Sequence, residues 1–321
     1  MSFYIAMDAG GTKINAMMFD ENMNLLTRAM AGGVNLSQTS LADCTANVAS
    51  ALDQLFVGGT PDQIDVVYCT FIGPKEVFKQ EILKRTVVRE LIFHSETEAG
   101  LLAGNVKREG ILALAGTGGG AYGIKGGKGC SIGGLGPYVG DDGSGVWIGQ
   151  QATRAIARCL MGWEKPTLML DYIREDWGVD GVWDIVNAVQ SAPAPFRKMG
   201  SLTRVVGRAA ADGDELALSI LREAGHLMAI QTITNIKKYW QELPEVTLCG
   251  GAWKAHPEMF EQFKRELKAV YPEIEPRRPL FEHVCAGPVL HLLNKGYSRA
   301  ETIEIMLRQF PDYRIDMSGR L

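Results

Sequence analysis

Two glycine-rich turns contain the residue types that bind phosphate groups. The first reads Asp-Ala-Gly-Gly-Thr-Lys at residues 8–13, and the second reads Gly-Thr-Gly-Gly-Gly at residues 116–120. Each turn directly follows an apolar run that is typical of a β-strand. Because glycine has no side chain, the backbone N–H groups of such a turn can approach an anion closely. Two turns in matching contexts predict a pair of loops that hold one polyphosphate, so an ATP-using enzyme is the leading hypothesis.

Length and composition favour a two-domain globular protein. The chain has 321 residues, which exceeds the usual size of a domain with a single hydrophobic core. Hydrophobic residues make up 46% of the sequence and charged residues 22%, an ordinary globular composition. A formal charge of −4 gives no reason to expect a nucleic-acid or membrane partner, and no apolar run is long enough to span a bilayer. The six cysteines contain no Cys-x-x-Cys pair, which is typical of a reducing compartment, so we expect a cytoplasmic protein.

Strand and helix patterns alternate along the chain. Strands are predicted at residues 3–8, 14–20, 24–30, 64–71 and 91–94, and helices at 40–56, 75–86 and 97–105. The strand–turn–strand pattern restarts at Ile111, and a more helical region follows. Its predicted helices are at 143–160, 215–240 and 257–270, with a strand at 245–249. This alternation predicts an α/β architecture with a domain boundary near residue 107.

Two other kinds of nucleotide loop do not fit these turns. A Walker A loop requires Gly-x-x-x-x-Gly-Lys-Ser/Thr, which the sequence lacks. Residues 116–121 match the Gly-x-Gly-x-x-Ala pattern of dinucleotide sites, but that pattern also requires the turn to begin a helix. Residues 122–129 are too rich in glycine for a helix interior. A β-hairpin phosphate loop, present twice, is the remaining interpretation.

The glycine turns resemble the phosphate loops of the actin-like ATPases, a group that includes sugar kinases, actin and the heat-shock chaperones. The first loop of that group corresponds to residues 8–12, the second to 116–118, and the Gly-Gly adenosine loop to 250–255. Within the group, the sequence is most similar to the N-acetylglucosamine kinase family of the BadF/BadG/BcrA/BcrD ATPases. Residues 133–148 resemble that family's Gly-Gly-x-Gly-x-x-x-Gly-Asp-Glu-Gly-Ser-x-x-Trp-Ile block.

The resemblance implies an α/β fold of two actin-like (ribonuclease H-like) lobes with the active site in the interlobe cleft. The N-terminal lobe would comprise residues 1–107 and the C-terminal lobe residues 108–299. Residues 300–310 are helical by pattern, and the stretch 300–321 would pack back onto the N-terminal lobe. The implied cofactors are ATP and Mg²⁺, and the implied partner is a small-molecule amino sugar. Family members are often dimers, so a homodimer is an expected state.

The resemblance assigns the nucleotide and its metal to the three glycine loops. Asp8 would face Mg²⁺ through water, because a hard cation prefers carboxylate oxygen; a turn-capping role is the alternative. Lys13 would add positive charge or remain a solvated turn residue, and Thr117 would mirror Thr12. The full predicted set is Asp8, Gly10, Gly11, Thr12, Lys13, Gly116, Thr117, Gly118, Gly250, Gly251 and Ala255.

The resemblance also places a catalytic base at a strand-to-helix junction before the second turn, where families of this kind have Asp and this sequence has Glu96. A glutamate has a similar unperturbed pKa, so it can accept the proton of a sugar hydroxyl. It is one methylene longer, and small misplacements are costly in catalysis. The alternative is that Ser95 and Glu98 cap a helix, with Glu96 as a first-turn acid favoured by the helix dipole.

For the acceptor sugar, the matching family positions are Asn35, Ser37, Gly134, Leu135, Gly136 and Asp141. Asn and Asp side chains supply the donors and acceptors that hydroxyls and an acetamido group need. Turn chemistry is the alternative role for Asn35 and Asp141. Animal members have a Trp at the position of Ser37 that covers the sugar face. Loss of that ring contact allows a different preference among amino sugars.

Three classes of function follow. The leading one is an ATP-dependent kinase that phosphorylates the 6-hydroxyl of N-acetylglucosamine, with glucosamine or N-acetylmuramic acid as alternative acceptors. The second is an ATPase activator of the BadF/BadG type, which needs thiolate ligands for a shared iron–sulfur cluster, whereas the cysteines here are dispersed. The third is a sugar or nucleotide sensor without turnover, which the intact phosphate loops disfavour.

Overall fold

The computed structural model of the chain describes residues 2–36 and 39–315. These residues form two units. Unit 1 contains the chain up to Arg108 together with Pro279–Ile315, and unit 2 contains Glu109–Arg278. No helix in the described ranges is both long and apolar enough to cross a membrane.

Unit 1 is built on a five-stranded mixed sheet. Its strands are β1 (Phe3–Ala9), β2 (Lys13–Asp20), β3 (Leu25–Gly32), β4 (Gln63–Phe71) and β5 (Val87–His94). They lie in the order β3–β2–β1–β4–β5; β1, β2 and β3 form an antiparallel meander, and β4 and β5 run parallel to β1. The carboxyl ends of β1, β4 and β5 therefore meet at one edge of the sheet, which is where open α/β sheets place their ligands.

Helices cover both faces of this sheet. Numbered along the whole chain, they are α1 (Leu41–Leu55), α2 (Lys75–Leu83), α3 (Glu96–Asn105), α11 (Ala286–Asn294) and α12 (Arg299–Gln309). The first two cover one face, and the other three cover the opposite face. Since side chains alternate along a strand, Ile5 and Met7 enter the core under α1 and α2, while Tyr4 and Ala6 enter the core on the opposite face. Burial on both faces explains the nearly continuous apolar run of β1.

Unit 2 combines a four-stranded sheet with a large helical part. Its strands are β6 (Gly110–Ala115), β7 (Gly119–Lys125), β8 (Lys128–Gly133) and β9 (Val246–Cys249), in the order β8–β7–β6–β9. As in unit 1, an antiparallel meander is extended by a parallel strand, β9. The helices are α4 (Gly145–Leu160), α5 (Met169–Trp177), α6 (Val182–Gln190), α7 (Pro195–Ser201), α8 (Thr203–Ala211), α9 (Glu215–Tyr239) and α10 (Pro257–Val270).

The predicted lobe boundary at residue 299 is wrong, because residues 279–299 belong to unit 1. Helix α11 packs on β1 and β4. The approach is close enough that a Cβ atom at Gly287 would be 2.6 Å from the Cβ atom of Ala6. The N–H of Leu280 also donates to the carbonyl of Gly104 (3.0 Å). Apolar periodicity predicts that a segment is helical, but it does not say which core buries it.

Element boundaries also differ from the sequence predictions. The C-terminal helix is Arg299–Gln309, so it ends well before residue 321, and residues 316–321 lie outside the described part of the chain. Strand β5 starts at Val87 and not near residue 91, because an edge strand tolerates the charged Arg89 and Glu90. Helices α5 to α8 are short, and the sequence patterns did not predict them.

Candidate functional site

The first glycine turn connects β1 to β2 in unit 1, and backbone hydrogen bonds hold it. The N–H of Gly10 donates to the carbonyl of Lys13 (2.9 Å), and the N–H of Val34 donates to the carbonyl of Gly10 (3.0 Å). Gly11 is half-buried, and Thr12 and Lys13 are exposed. The turn therefore presents a fixed backbone, a hydroxyl group and an ammonium group to an anion.

Asp8, the next-to-last residue of β1, lies beside this turn. It is half-buried, and none of the described residues donates a hydrogen bond to its carboxylate, so a turn-capping role is not supported. Burial raises the pKa of Asp8, while the nearby His283 and Lys13 act in the opposite direction. A bound cation would compensate for this partly buried negative charge.

The surroundings of Asp8 fit a magnesium site of the kind found in phosphoryl-transfer enzymes. In the described part of the chain, no three His, Cys, Asp or Glu side chains are grouped to hold a metal ion. Mg²⁺ needs no such group when it is bound with a nucleotide, because water and substrate phosphates complete its coordination around one or two carboxylates. Asp8, next to a phosphate-type turn, meets that requirement.

Glu96 is the first residue of α3, directly after the carboxyl end of β5. The N-terminus of this helix is capped by Ser95, whose hydroxyl accepts a hydrogen bond from the N–H of Glu98 (3.1 Å). Ser95 therefore caps the helix, and the Glu96 side chain takes no part in this cap. Desolvation raises the pKa of Glu96, the positive charge of His283 lowers it, and the negative charge of Asp8 raises it. Because Glu96 is an exposed residue, solvent moderates these effects.

Asn35 also lies beside the first turn. A Cβ atom at Gly11 would be 3.7 Å from the side-chain amide nitrogen of Asn35. Unit 1 therefore brings together the first phosphate turn, Asp8, Glu96 and Asn35. Ser37, which the sequence analysis assigns to the sugar site, lies outside the described residues.

The second glycine turn connects β6 to β7 in unit 2. The N–H of Gly116 donates to the carbonyl of Gly118 (2.9 Å), and two N–H groups of α4 donate to the carbonyls of Gly116 (2.8 Å) and Thr117 (3.2 Å). The strand that follows the turn, in place of a helix, agrees with the rejection of a dinucleotide site. The N–H of Gly116 is used within the turn, whereas those of Thr117 and Gly118 have no backbone acceptor among the described residues and remain available to a phosphate.

The adenosine loop predicted at residues 250–255 packs directly on the second turn. Gly250 has φ = +102°, and a Cβ atom there would be 2.3 Å from the carbonyl oxygen of Ala115 and 2.5 Å from the nitrogen of Gly116. Gly251 begins a 3₁₀ turn (Gly251–Lys254), and no atom lies within 4 Å of a Cβ placed there. The structure thus explains why glycine is needed at the first of these two positions.

This contrast gives a test of the loop. We expect Gly250→Ala to lower the free energy of unfolding by about 2–5 kcal/mol, because the backbone strain and the clash with Ala115 add. Gly251→Ala is the matched control, with a change within about 1 kcal/mol expected from helix propensity alone. Chemical denaturation of the two variants measures both values. Equal stability of the two variants would contradict the described packing.

A pocket of about 600 Å³ lies between the second turn and the adenosine loop within unit 2. Its volume is in the range of small-molecule sites. Its lining is Gly116, Thr117, Gly145, Arg197, Gly200, Ser201, Thr203, Arg204, Gly251, Ala252, Lys254 and Ala255.

Three cationic side chains line this pocket. Arg197, Arg204 and Lys254 are exposed and, within the described residues, form no ion pair. Sequence reasoning missed the two arginines, because they lie in α7 and α8 without any motif around them.

The remaining acceptor-site residues form a tight turn in unit 2 between β8 and α4. The carboxylate of Asp141 accepts a hydrogen bond from the N–H of Gly136 (3.2 Å). Asp141 has φ = +57°, which is strained for a non-glycine residue. Its other carboxylate oxygen would be 2.8 Å from a Cβ atom at Gly118, so this turn contacts the second phosphate turn. Gly134 is exposed and Leu135 is 67% exposed, which leaves an open face for a ligand.

Two curated relatives align along most of the chain. A protein from Clostridium acetobutylicum named N-acetylmuramic acid/N-acetylglucosamine kinase is 24% identical over 286 residues, which cover 86% of this chain and 93% of the relative. A protein from Vibrio cholerae named glucosamine kinase is 22% identical over 231 residues, which cover 70% of this chain and 76% of the relative. The likeness extends through both units of the structure.

A solved structure of a Chromobacterium violaceum protein has the same fold, with a TM-score of 0.68 and 21% identity over 91% of this chain and 99% of that one. The predicted α/β class, with two actin-like lobes, is thereby confirmed. The model of the BadF/BadG/BcrA/BcrD ATPase family matches residues 5–282. The chain belongs to the BadF/BadG/BcrA/BcrD ATPase family.

Proposed function

We propose that the protein is an ATP-dependent kinase that phosphorylates an amino sugar. The observation that carries this proposal is the grouping of two carboxylates, Asp8 and Glu96, beside the first phosphate turn and Asn35 in unit 1. One carboxylate can hold a metal ion and the other can accept a proton. A sugar kinase needs both of these groups, one for the metal ion of the nucleotide and one for the attacking hydroxyl.

We assign ATP to the second turn, the adenosine loop and the pocket that they line. The cations of Arg197, Arg204 and Lys254 are suited to an anionic ligand, since no described carboxylate neutralises them. Gly251 and Ala255 leave room for a flat base against the backbone. Within unit 2, Thr117 would donate to the phosphates. Within unit 1, Thr12 and Lys13 are the groups that we assign to phosphate binding.

In the reaction, Mg²⁺ held by Asp8 would neutralise charge on the phosphates. Glu96 would accept the proton of the attacking hydroxyl as the oxygen bonds to the γ-phosphorus, and ADP would leave. Asn35 in unit 1, and Asp141 with the backbone of residues 134–136 in unit 2, are the polar groups that we assign to sugar binding. Phosphoryl transfer requires little covalent chemistry from the protein, so positioning and charge would provide most of the rate.

The preferred acceptor in this proposal is N-acetylglucosamine, with the 6-hydroxyl as the attacking group. The names of the two relatives include N-acetylglucosamine, N-acetylmuramic acid and glucosamine. An amide and a carboxylate, Asn35 and Asp141, can pair with hydroxyl and acetamido groups alike. We place the enzyme in the cytoplasm, in keeping with six cysteines that are scattered along the sequence without a Cys-x-x-Cys pair.

A coupled assay of ADP release across a panel of sugars tests the proposal. We expect N-acetylglucosamine, glucosamine or N-acetylmuramic acid to stimulate ADP release well above the rate with ATP alone. Glucose lacks the amino substituent and is the matched control sugar. If none of the amino sugars stimulates ADP release, the kinase proposal fails.

The raised pKa of Glu96 predicts the acid limb of the pH–rate profile. A base works only when ionised, so kcat/KM falls as the pH drops through the pKa of Glu96. Desolvation places this pKa above the ordinary value of 4.5, and the limb should therefore lie above pH 4.5. The profile is measured at saturating Mg²⁺, which keeps Asp8 ionised. A limb at or below pH 4.5, or the same limb in a Glu96→Gln variant, would contradict the assignment.

A further inference from the structure

Four polar residues form a row across the sheet of unit 1, at the end of the strands where Asp8 lies. Asp8 on β1 is in register with Asn15 on β2 and with Thr70 on β4, and Thr70 is in register with His94 on β5. Residues in register on neighbouring strands point to the same face of a sheet. The four side chains therefore lie side by side in the order Asn15–Asp8–Thr70–His94.

This polar row lies at the rim of an apolar core. On the core side of the row, the same face of the sheet continues with buried residues, namely Ala6 on β1, Tyr68 on β4 and, on the antiparallel β2, Met17. Thr70 is 2% exposed and His94 is 7% exposed. A polar pair at such depth is uncommon unless its hydrogen-bonding groups are satisfied.

The two ends of the row differ in their hydrogen bonding. At one end, the side-chain amide of Asn15 donates to the Glu282 carboxylate (3.1 Å). At the other end, Thr70 Oγ1 and His94 Nδ1 are fully buried and have no partner among the residues that the structure describes. A buried polar atom without a hydrogen bond costs free energy of folding, so we expect each of these two atoms to have a hydrogen-bond partner.

The donors and acceptors of the row match one another. Burial and the nearby His283 lower the pKa of His94 to about 4, so its imidazole is neutral near pH 7 and carries one N–H. With that proton on Nδ1, His94 can donate to the Thr70 hydroxyl oxygen. The hydroxyl can then donate its own proton to the carboxylate of Asp8, which only accepts. Neither bond is made directly among the described residues, so one buried water between neighbouring side chains, which a strand spacing of about 4.8 Å accommodates, would complete each link.

We infer that Thr70 and His94 are positioning residues that orient the Asp8 carboxylate through the hydrogen-bond chain His94–Thr70–Asp8. The inference rests on the proposed function, in which Asp8 holds the metal ion of the nucleotide. Groups that hydrogen-bond to a metal ligand fix its orientation, and their loss typically weakens metal binding or activity about 10–100-fold. No sequence motif identifies this hydrogen-bond chain, because Thr70 and His94 are single polar residues at the ends of apolar strands.

The first test is the imidazole nitrogen spectrum of protein with ¹⁵N-labelled histidine. The chain has five histidines, and a His94→Gln variant assigns the signals of His94. We expect His94 to be the Nδ1–H tautomer, and we expect its Nδ1 shift to change in Thr70→Val, which removes the hydroxyl but keeps the shape. Thr70→Ser restores the hydroxyl and should restore the shift. A wild-type His94 in the Nε2–H form, or a Nδ1 shift that is the same in Thr70→Val, would overturn the inference.

The second test is the affinity for Mn²⁺, used in place of Mg²⁺, measured by EPR in the presence of ADP. We expect Thr70→Val to raise the Mn²⁺ dissociation constant by about 10-fold or more, and Thr70→Ser to leave it near the wild-type value. Thr302→Val is the matched control, because Thr302 in α12 is equally buried with an unpartnered hydroxyl but lies outside the row. Equal affinity in wild type and Thr70→Val would overturn the inference. Failure of the proposed function would instead appear as a wild-type protein that turns over no sugar.

Discussion

Replacing Glu96 with glutamine is expected to lower kcat by about 10²–10⁴-fold, the range that general-base catalysis usually contributes. Glutamine has nearly the same shape as glutamate but cannot accept the hydroxyl proton at neutral pH. The KM for ATP should change little, because Glu96 is not among the proposed nucleotide contacts. Initial rates at saturating sugar and ATP measure the effect.

Glu98→Gln is the matched control for this experiment. Glu98 lies in the same first turn of α3, so both variants lose one negative charge near the positive end of the helix dipole. Only the backbone N–H of Glu98 takes part in the cap, and that group is unchanged by the substitution. A Glu96→Gln enzyme with full turnover, or an equal loss in both variants, would remove Glu96 as the base.

Asp8→Asn should lower turnover by at least about 10²-fold at any Mg²⁺ concentration, since metal-assisted charge stabilisation contributes several kcal/mol to such reactions. An amide is a weaker ligand than a carboxylate for a hard cation. The rate is measured as a function of Mg²⁺ for the wild type and the variant. Asp53→Asn, the same change in an exposed ion pair with Arg85, is the control and should leave the rate unchanged.

The stability of Asp8→Asn separates a functional loss from misfolding. Burial raises the folded-state pKa of Asp8 above its unfolded value, so the ionised carboxylate costs stability at neutral pH. The sign follows from linkage: the contribution of this group is most favourable below its unfolded pKa and is lost as the pH rises through the folded pKa. A neutral amide avoids the cost, so the inactive variant should be at least as stable as the wild type. An active variant, or one that is inactive because it unfolds, would contradict the role of Asp8.

The elements of the fold that were predictable from the sequence are those with strong local signals. The meander around the first turn, the capped helix after Ser95 and the long helix α9 each combine an apolar period with clear start or stop residues. The packing of α11 was not predictable in this way. Its core partner, β1, lies at the other end of the sequence, and only tertiary contact joins the two.

The candidate site shows the same division between local and long-range information. Asp8 and both glycine turns are contiguous motifs, so the sequence identifies them directly. Arg197, Arg204 and the pair Thr70 and His94 are single polar residues without a motif. Helix packing brings the two arginines to the second phosphate turn, and strand register brings Thr70 and His94 to Asp8. Neither arrangement is visible in the sequence.

The central claim is that the protein transfers the γ-phosphoryl group of ATP to an amino sugar. The most direct measurement is ³¹P NMR of a reaction that contains the protein, ATP, Mg²⁺ and N-acetylglucosamine. We predict a phosphomonoester signal coupled to the protons of carbon 6, formed in equal amount with ADP and lost in Glu96→Gln. No phosphorylated product from N-acetylglucosamine, glucosamine or N-acetylmuramic acid, with ADP formation the same with and without sugar, would contradict the account.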